Sequence, residues 1–148
     1  MKLIVLYGKP KTGKTPTIKM LCKKIENDIK TTKIILAPKY ANDDIRAMFE
    51  FNGKTVGITS FGDTTDKLKE VYSDFIAQHC DIIVSAGRKT SQGQAKTVTN
   101  FINSFAKKYK TLPVWVHKDY IDTPDKNRYK KEQDSINVFM ADLLYNMI

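Results

Sequence analysis

The stretch Val5–Lys19, VLYGKPKTGKTPTIK, decides how this chain is read. Its first residues close the apolar run Lys2–Tyr7, which Gly8 stops and which suits a strand buried on both faces. Its last residues open a pattern in which Ile18, Leu21, Cys22, Ile25 and Ile29 recur at helical spacing, predicting a helix from about Gly13 to Ile29. Between the two, Gly8-Lys9-Pro10-Lys11-Thr12-Gly13-Lys14-Thr15 reads G-x-x-x-x-G-K-T. A glycine loop in that setting turns successive backbone N–H groups inward, and the helix N-terminus adds partial positive charge. The pattern therefore predicts an anion cradle, with Lys14 reaching the outer phosphates of a nucleotide and the Thr15 hydroxyl on Mg²⁺.

Outward from this unit, strand and helix patterns alternate to the end of the chain. Lys33–Ala37 reads as a strand ended by Pro38. Ile45–Phe51 and Lys54–Ser60 flank Asn52-Gly53, a strong hairpin signal, although DDIRAMFEF also fits a short helix. Thr64–His79 carries Leu68, Val71, Tyr72, Phe75 and Ile76 on one helical face, and Asp81–Ala86 is a further buried strand. Gln94–Tyr109 is amphipathic, Leu112–His117 is the last strand, and Ile136, Phe139, Met140, Leu143, Leu144 and Met147 line a C-terminal helix. That helix starts as early as Thr123-Pro124 if the pair forms a cap followed by proline. Alternation of this kind predicts an α/β fold of three layers, α/β/α. Its sheet is mostly parallel and five-stranded, with an added hairpin strand in Ile45–Ser60. Ligands of such sheets bind at the carboxyl ends of the strands. That edge gathers the loop after Tyr7, the Ser60–Asp63 turn, Gly87–Gln94 and Lys118–Asp125.

The 148 residues suit one domain, 1–148. No apolar run approaches the roughly 18 residues that cross a membrane, and the N-terminal apolar stretch is too short for a signal peptide, so a cytoplasmic protein without a membrane partner is expected. Cys22 and Cys80 lack metal-ligand spacing and fall at apolar positions, which predicts buried, reduced thiols. The net charge of +9 favours polyanionic partners, nucleic acid or an acidic protein among them, but the lysines are scattered rather than blocked.

The first 30 residues resemble the Walker A unit of the P-loop NTPases, and the alternation through His117 is similar to their small nucleoside- and nucleotide-kinase-like branch. The resemblance implies that Gly8, Lys9, Pro10, Lys11, Thr12, Gly13, Lys14, Thr15, Pro16 and Thr17 hold ATP, with Mg²⁺ on Thr15 and an acidic residue. Two departures stand out. Pro16 has no N–H where the superfamily offers one to the α-phosphate, a loss of about 1.5–3 kcal/mol unless another group, the Thr17 hydroxyl foremost, replaces it. Nor does an aspartate end KTVGITS, a strand expected beside the loop strand; Asp63 follows Ser60 by three residues. Asp63 serves the metal, acts as general base toward an acceptor, or caps the helix beginning near Thr64. Asp81 begins its strand and points to the opposite edge.

Arg88, with Lys89, opens RKTSQGQ, which resembles the stub of a kinase lid whose arginine neutralises charge on the transferred phosphoryl group; a solvated loop is the other reading. Lys118–Asp125 lacks the N-K-x-D of guanine-binding relatives, which favours ATP. Lys126–Lys131 is either a second anion grip or a solvated helix face. The expected function is a Mg-ATP-dependent phosphotransferase with Lys14, Asp63 and Arg88 as catalytic residues, acting on a nucleotide or similar small acceptor. The alternative is a nucleotide-dependent switch or accessory ATPase that binds a protein or nucleic acid.

Overall fold

The computed structural model of the chain describes residues 1–88, 93–118 and 126–148, side chains of residues 93–95 excepted. The elements run β1 (Lys2–Tyr7), α1 (Lys14–Glu26), β2 (Thr31–Leu36), β3 (Arg46–Phe51) and β4 (Lys54–Thr59). They continue with α2 (Thr65–Ala77), β5 (Ile82–Gly87), α3 (Gly93–Lys108), β6 (Pro113–His117) and α4 (Lys126–Met147). The expected helix start at Thr123-Pro124, Lys89 and its neighbours to 92, and residues 119–125 of the last loop lie outside the described residues.

The strands form one mixed sheet in the order β2-β3-β4-β5-β1-β6. Pairing directions make β2, β4, β5, β1 and β6 run one way and β3 the other. The segment before Asn52-Gly53 is a strand and not a helix: both turn residues take positive φ, 50° and 71°, which matches the twist of a two-residue hairpin. The hairpin occupies one edge of β4, so the strand returning from α2 pairs on the other. As a result β5 separates β4 from β1, and KTVGITS is not the immediate neighbour of the loop strand as its sequence suggested. β5, buried at all six positions, takes that central place.

The pleat of β1 sends alternate residues into two clusters. Ile4 and Leu6 pack with Ile18, Leu21 and Ile25 of α1 and with Met140 and Leu144 of α4. Leu3 and Val5 pack with Leu68, Tyr72 and Phe75 of α2 and with Val98 and Ile102 of α3. Both cysteines are buried and unpaired, and burial pushes the Cys80 thiol up to about 11. Three apolar expectations are corrected. Ile29 is 97% exposed because α1 stops at Glu26, where Asn27 caps the Lys23 carbonyl at 2.7 Å through its side chain. Phe139 and Leu143 lie on the outer side of α4, away from the face that Met140 and Leu144 bury. Among the described residues no helix is long and apolar enough to cross a membrane.

Gly57 allows α2 to sit on β4. A methyl group there would lie 2.8–2.9 Å from ring carbons of Phe75, which is itself fully buried. Gly57→Ala is expected to cost about 1–3 kcal/mol. The check is a lower urea midpoint with an unchanged slope; an unmoved midpoint contradicts this packing.

Candidate phosphate-binding site

The loop from Gly8 to Thr15 bends where its sequence permits. Lys11 and Gly13 take φ of 60° and 79°, and Gly13 is the N-cap of α1 with no side chain capping the helix. The first turn of α1 carries no acidic residue, so its free N–H groups and dipole face the cleft uncompensated. Thr12 braces the loop from within, its hydroxyl donating to the Lys9 carbonyl at 3.0 Å. Lys14 arcs over the loop and donates to the carbonyls of Gly8 at 3.2 Å and Lys9 at 2.9 Å. Burial holds its ammonium below the usual lysine range; Asp63 works against that shift and Arg88 adds to it.

The loop borders a cleft of about 520 Å³ whose opposite wall brings together Asp44, Ser60, Asp63 and Arg88. Two carboxylates thus face the loop, with different partners. Asp63 accepts from both Arg88 Nε and Arg88 Nη2 at 2.9 Å through one oxygen. It does not cap α2, whose N-cap Thr64 makes no side-chain cap bond. Gly62 presses against the end of β5, where a methyl group would lie 2.5 Å from the Ala86 carbonyl oxygen, and this close approach sets Asp63 beside Arg88.

Asp44 was not singled out in the sequence, yet it is the carboxylate that meets the loop. Its Oδ1 accepts from Thr15 Oγ1 at 3.2 Å and from Ser60 Oγ at 2.8 Å, while Ser60 Oγ accepts from the Ile45 N–H at 2.9 Å. The reversed direction of β3 explains why it escaped notice. The carboxyl ends of the parallel strands share an edge with the start of an antiparallel one, so an acid preceding β3 arrives where one following a parallel strand was sought. The signal was available: Arg46 pairs with Thr59 across the hairpin, which sets Ile45 opposite Ser60 and Asp44 just beyond.

Thr17 does not replace the N–H that Pro16 lacks. Its hydroxyl is fully buried and lies 2.9 Å from the Gly13 carbonyl and 3.2 Å from Asn137 Oδ1, on the far side of the helix turn from the cleft. Pro16 lines the cleft in the first turn of α1, where no intrahelical donor is required. Asp81 stands at the opposite edge, accepting from the Thr55 N–H at 2.9 Å. In the basic stretch of α4, Arg128 pairs with Glu132 of the same helix at 2.6 Å.

Behind the loop lies a buried polar layer absent from the sequence reading. Gln133 donates to the Thr12 carbonyl at 2.9 Å and to Asn137 Oδ1 at 3.2 Å. Lys118, 1% exposed, donates to Asn137 Oδ1 at 2.7 Å. The Lys118 pKa is lowered from 10.5 to about 8, first by burial and then by the charge of Lys14. Among the described residues Gln133 Oε1 is the one buried side-chain polar atom without a partner.

No described group of three or more His, Cys, Asp or Glu side chains is arranged to hold a metal on its own. Comparison of the chain with family models, curated proteins and solved structures gives no match.

Because the folded pKa of Lys118 lies below its unfolded value, the folded state binds fewer protons between about pH 8 and 10.5. Stability therefore rises with pH across that window, and the burial cost, on the order of 3 kcal/mol, is fully present below it. Lys118→Met is expected to unfold at higher denaturant than the parent at pH 7, with the gap closing toward pH 10. A pH-independent gap contradicts the burial of a charged amine here.

Proposed function

We propose that the chain is a P-loop domain of three-layer α/β/α build that binds ATP at Gly8–Thr15 and transfers its terminal phosphoryl group. The observation that carries this reading is the convergence on one cleft of the glycine loop, the uncapped start of α1, Lys14, and two carboxylates with Arg88 on the facing wall. Anions are held there by backbone N–H groups and by Lys14, which must exchange its two loop carbonyls for phosphate oxygens. The exchange is favourable because a charge-assisted bond to phosphate is stronger than one to a neutral carbonyl.

The donor set fits Mg²⁺, which takes one or two carboxylates and completes its shell with phosphates and water. Thr15 and Asp44 would hold it, since their oxygens already lie in hydrogen-bond contact. Bound there, the ion would neutralise charge on the phosphates. Arg88, oriented by Asp63, is the residue that would meet charge developing on the transferred group. Proton-deficient oxygens placed beside Arg88 compete with Asp63 for its guanidinium, so the ion pair keeps the arginine aimed without committing it.

Lys14→Ala is expected to weaken binding of a fluorescent ATP analogue at least 100-fold; unchanged affinity ends this reading. Asp44→Asn is expected to remove most of the Mg²⁺ dependence of that binding, whereas Asp63→Asn leaves it largely in place. The reverse pattern would return the metal to Asp63. Pro16→Ala restores an N–H at the cleft and is expected to tighten the analogue by several-fold, measured in the same titration.

A further inference from the structure

We infer that a second pocket, joined to the phosphate cleft through Asp44, receives the phosphoryl acceptor, and that this acceptor is a neutral, hydroxyl-bearing molecule of about nucleoside size. The inference rests on the phosphotransfer reading above and names its acceptor. The pocket, about 310 Å³, lies at the same sheet edge, between the end of β2, the segment leading into β3, and α2. Its volume sits at the lower end of the range for small-molecule sites. Asp44 lines both cavities, which makes the carboxylate the shared wall between donor and acceptor.

The rim is built rather than incidental. Lys19 of α1 donates to the carbonyls of Tyr40 at 3.1 Å and Asn42 at 2.6 Å, and Tyr40 donates to Glu26 at 2.8 Å. Asn42 closes a turn on the Lys39 carbonyl at 3.1 Å. The segment that carries Asp44 is therefore anchored to the helix that also begins at the phosphate loop.

Charge and polarity select the class of ligand. Leu36, Ile45, Phe61 and Val71 provide an apolar floor suited to a ring. Two of the cations on the walls are already matched: Arg46 meets Asp74 at 2.6 Å and Glu70 at 3.8 Å, and Lys67 meets Glu70 at 3.1 Å. An anionic acceptor would have to break these pairs or rely on Lys39 alone, while a carboxylate, Asp44, stands at the junction. A neutral molecule presenting a hydroxyl to Asp44 meets no such penalty. Asp44 Oδ1 is occupied by Thr15 and Ser60, and Oδ2 has no hydrogen-bond partner among the described residues. In the transfer, the acceptor oxygen forms a bond to the γ-phosphorus of the bound nucleoside triphosphate. The bond from that phosphorus to the β–γ bridging oxygen breaks, and the nucleoside diphosphate leaves with the electron pair. Asp44 Oδ2 accepts the hydrogen bond that orients the hydroxyl, whose proton passes to a non-bridging oxygen of the transferred phosphoryl group.

The test uses the full chain with Mg-ATP for turnover and a fluorescent ATP analogue for affinity, together with the common nucleosides, their 5′-monophosphates, glycerol and hexoses. Saturation-transfer NMR reads acceptor contact and a coupled assay reads ADP formation. The expected result is contact and at least ten-fold stimulated ADP formation with a neutral compound, and less of both with its monophosphate. Ala37→Trp, at an exposed position on the pocket wall, is expected to lower acceptor-dependent kcat/KM at least ten-fold while analogue affinity stays within two-fold. The inference falls, with the phosphate-loop reading intact, if the analogue binds but no neutral compound shows contact or stimulation. It falls equally if monophosphates are preferred, or if Ala37→Trp leaves acceptor turnover unchanged. Absence of analogue binding by the parent chain overturns both readings.

Discussion

The glycine loop Gly8–Thr15 has no room behind it, and much of the rest of the structure follows from that. A methyl group on Gly8 would lie 2.5 Å from the Lys118 carbonyl oxygen, and one on Gly13 would lie 2.7 Å from Asn137 Oδ1 and 2.9 Å from Gln133 Nε2. The loop is wedged between the end of β6 and the inner face of α4. Its back must therefore be lined by hydrogen-bonding groups, because the outward carbonyls of a tight loop cannot be left dry. Gln133, Asn137, Thr17 and Lys118 supply that lining at the cost of burying an amine. Small residues at two loop positions and polar residues on a helix more than a hundred residues away are thus one constraint seen from two sides.

The second organising element is the reversed strand. A wholly parallel sheet would bring only strand ends to the edge that carries the glycine loop, each followed by a loop. Inserting β3 brings a strand beginning there as well, and with it Asp44, in contact with Thr15 and Ser60. The same insertion leaves a gap between the β2 end and α2, which the anchored 38–44 segment closes into a pocket. The facing wall of the cleft carries two carboxylates in different electrostatic settings. Asp63 is matched to Arg88, whereas Asp44 is surrounded by hydroxyls. The two differ through their partners, since both are aspartates on one wall.

Much of the fold was legible because local pattern and tertiary demand agree. β1 and the start of α1, the Asn52-Gly53 hairpin, and the apolar faces of α2 and α3 were readable from periodicity and turn chemistry within a residue or two, while α1 ended three residues before the expected Ile29. The misreadings share a cause. Ile29, Phe139 and Leu143 fit a helical stripe, but one lies past the end of its helix and the others on the exposed flank of α4. Thr17 was expected to serve phosphate and instead turns inward to Asn137, a partner 120 residues distant.

What the sequence determined by itself was the glycine loop, the lysine and threonine that follow it, and the order of strands and helices, since each depends on backbone geometry within a few residues. What only the tertiary structure decided was which distant groups meet that loop. Strand order separated KTVGITS from the loop strand, hairpin register delivered Asp44 to Thr15, the docking of α4 placed two amides beneath Gly13, and the end of β6 brought the buried Lys118 amine to Asn137. These are pairings across long sequence separations, set by where whole elements pack, and no local spacing encodes them.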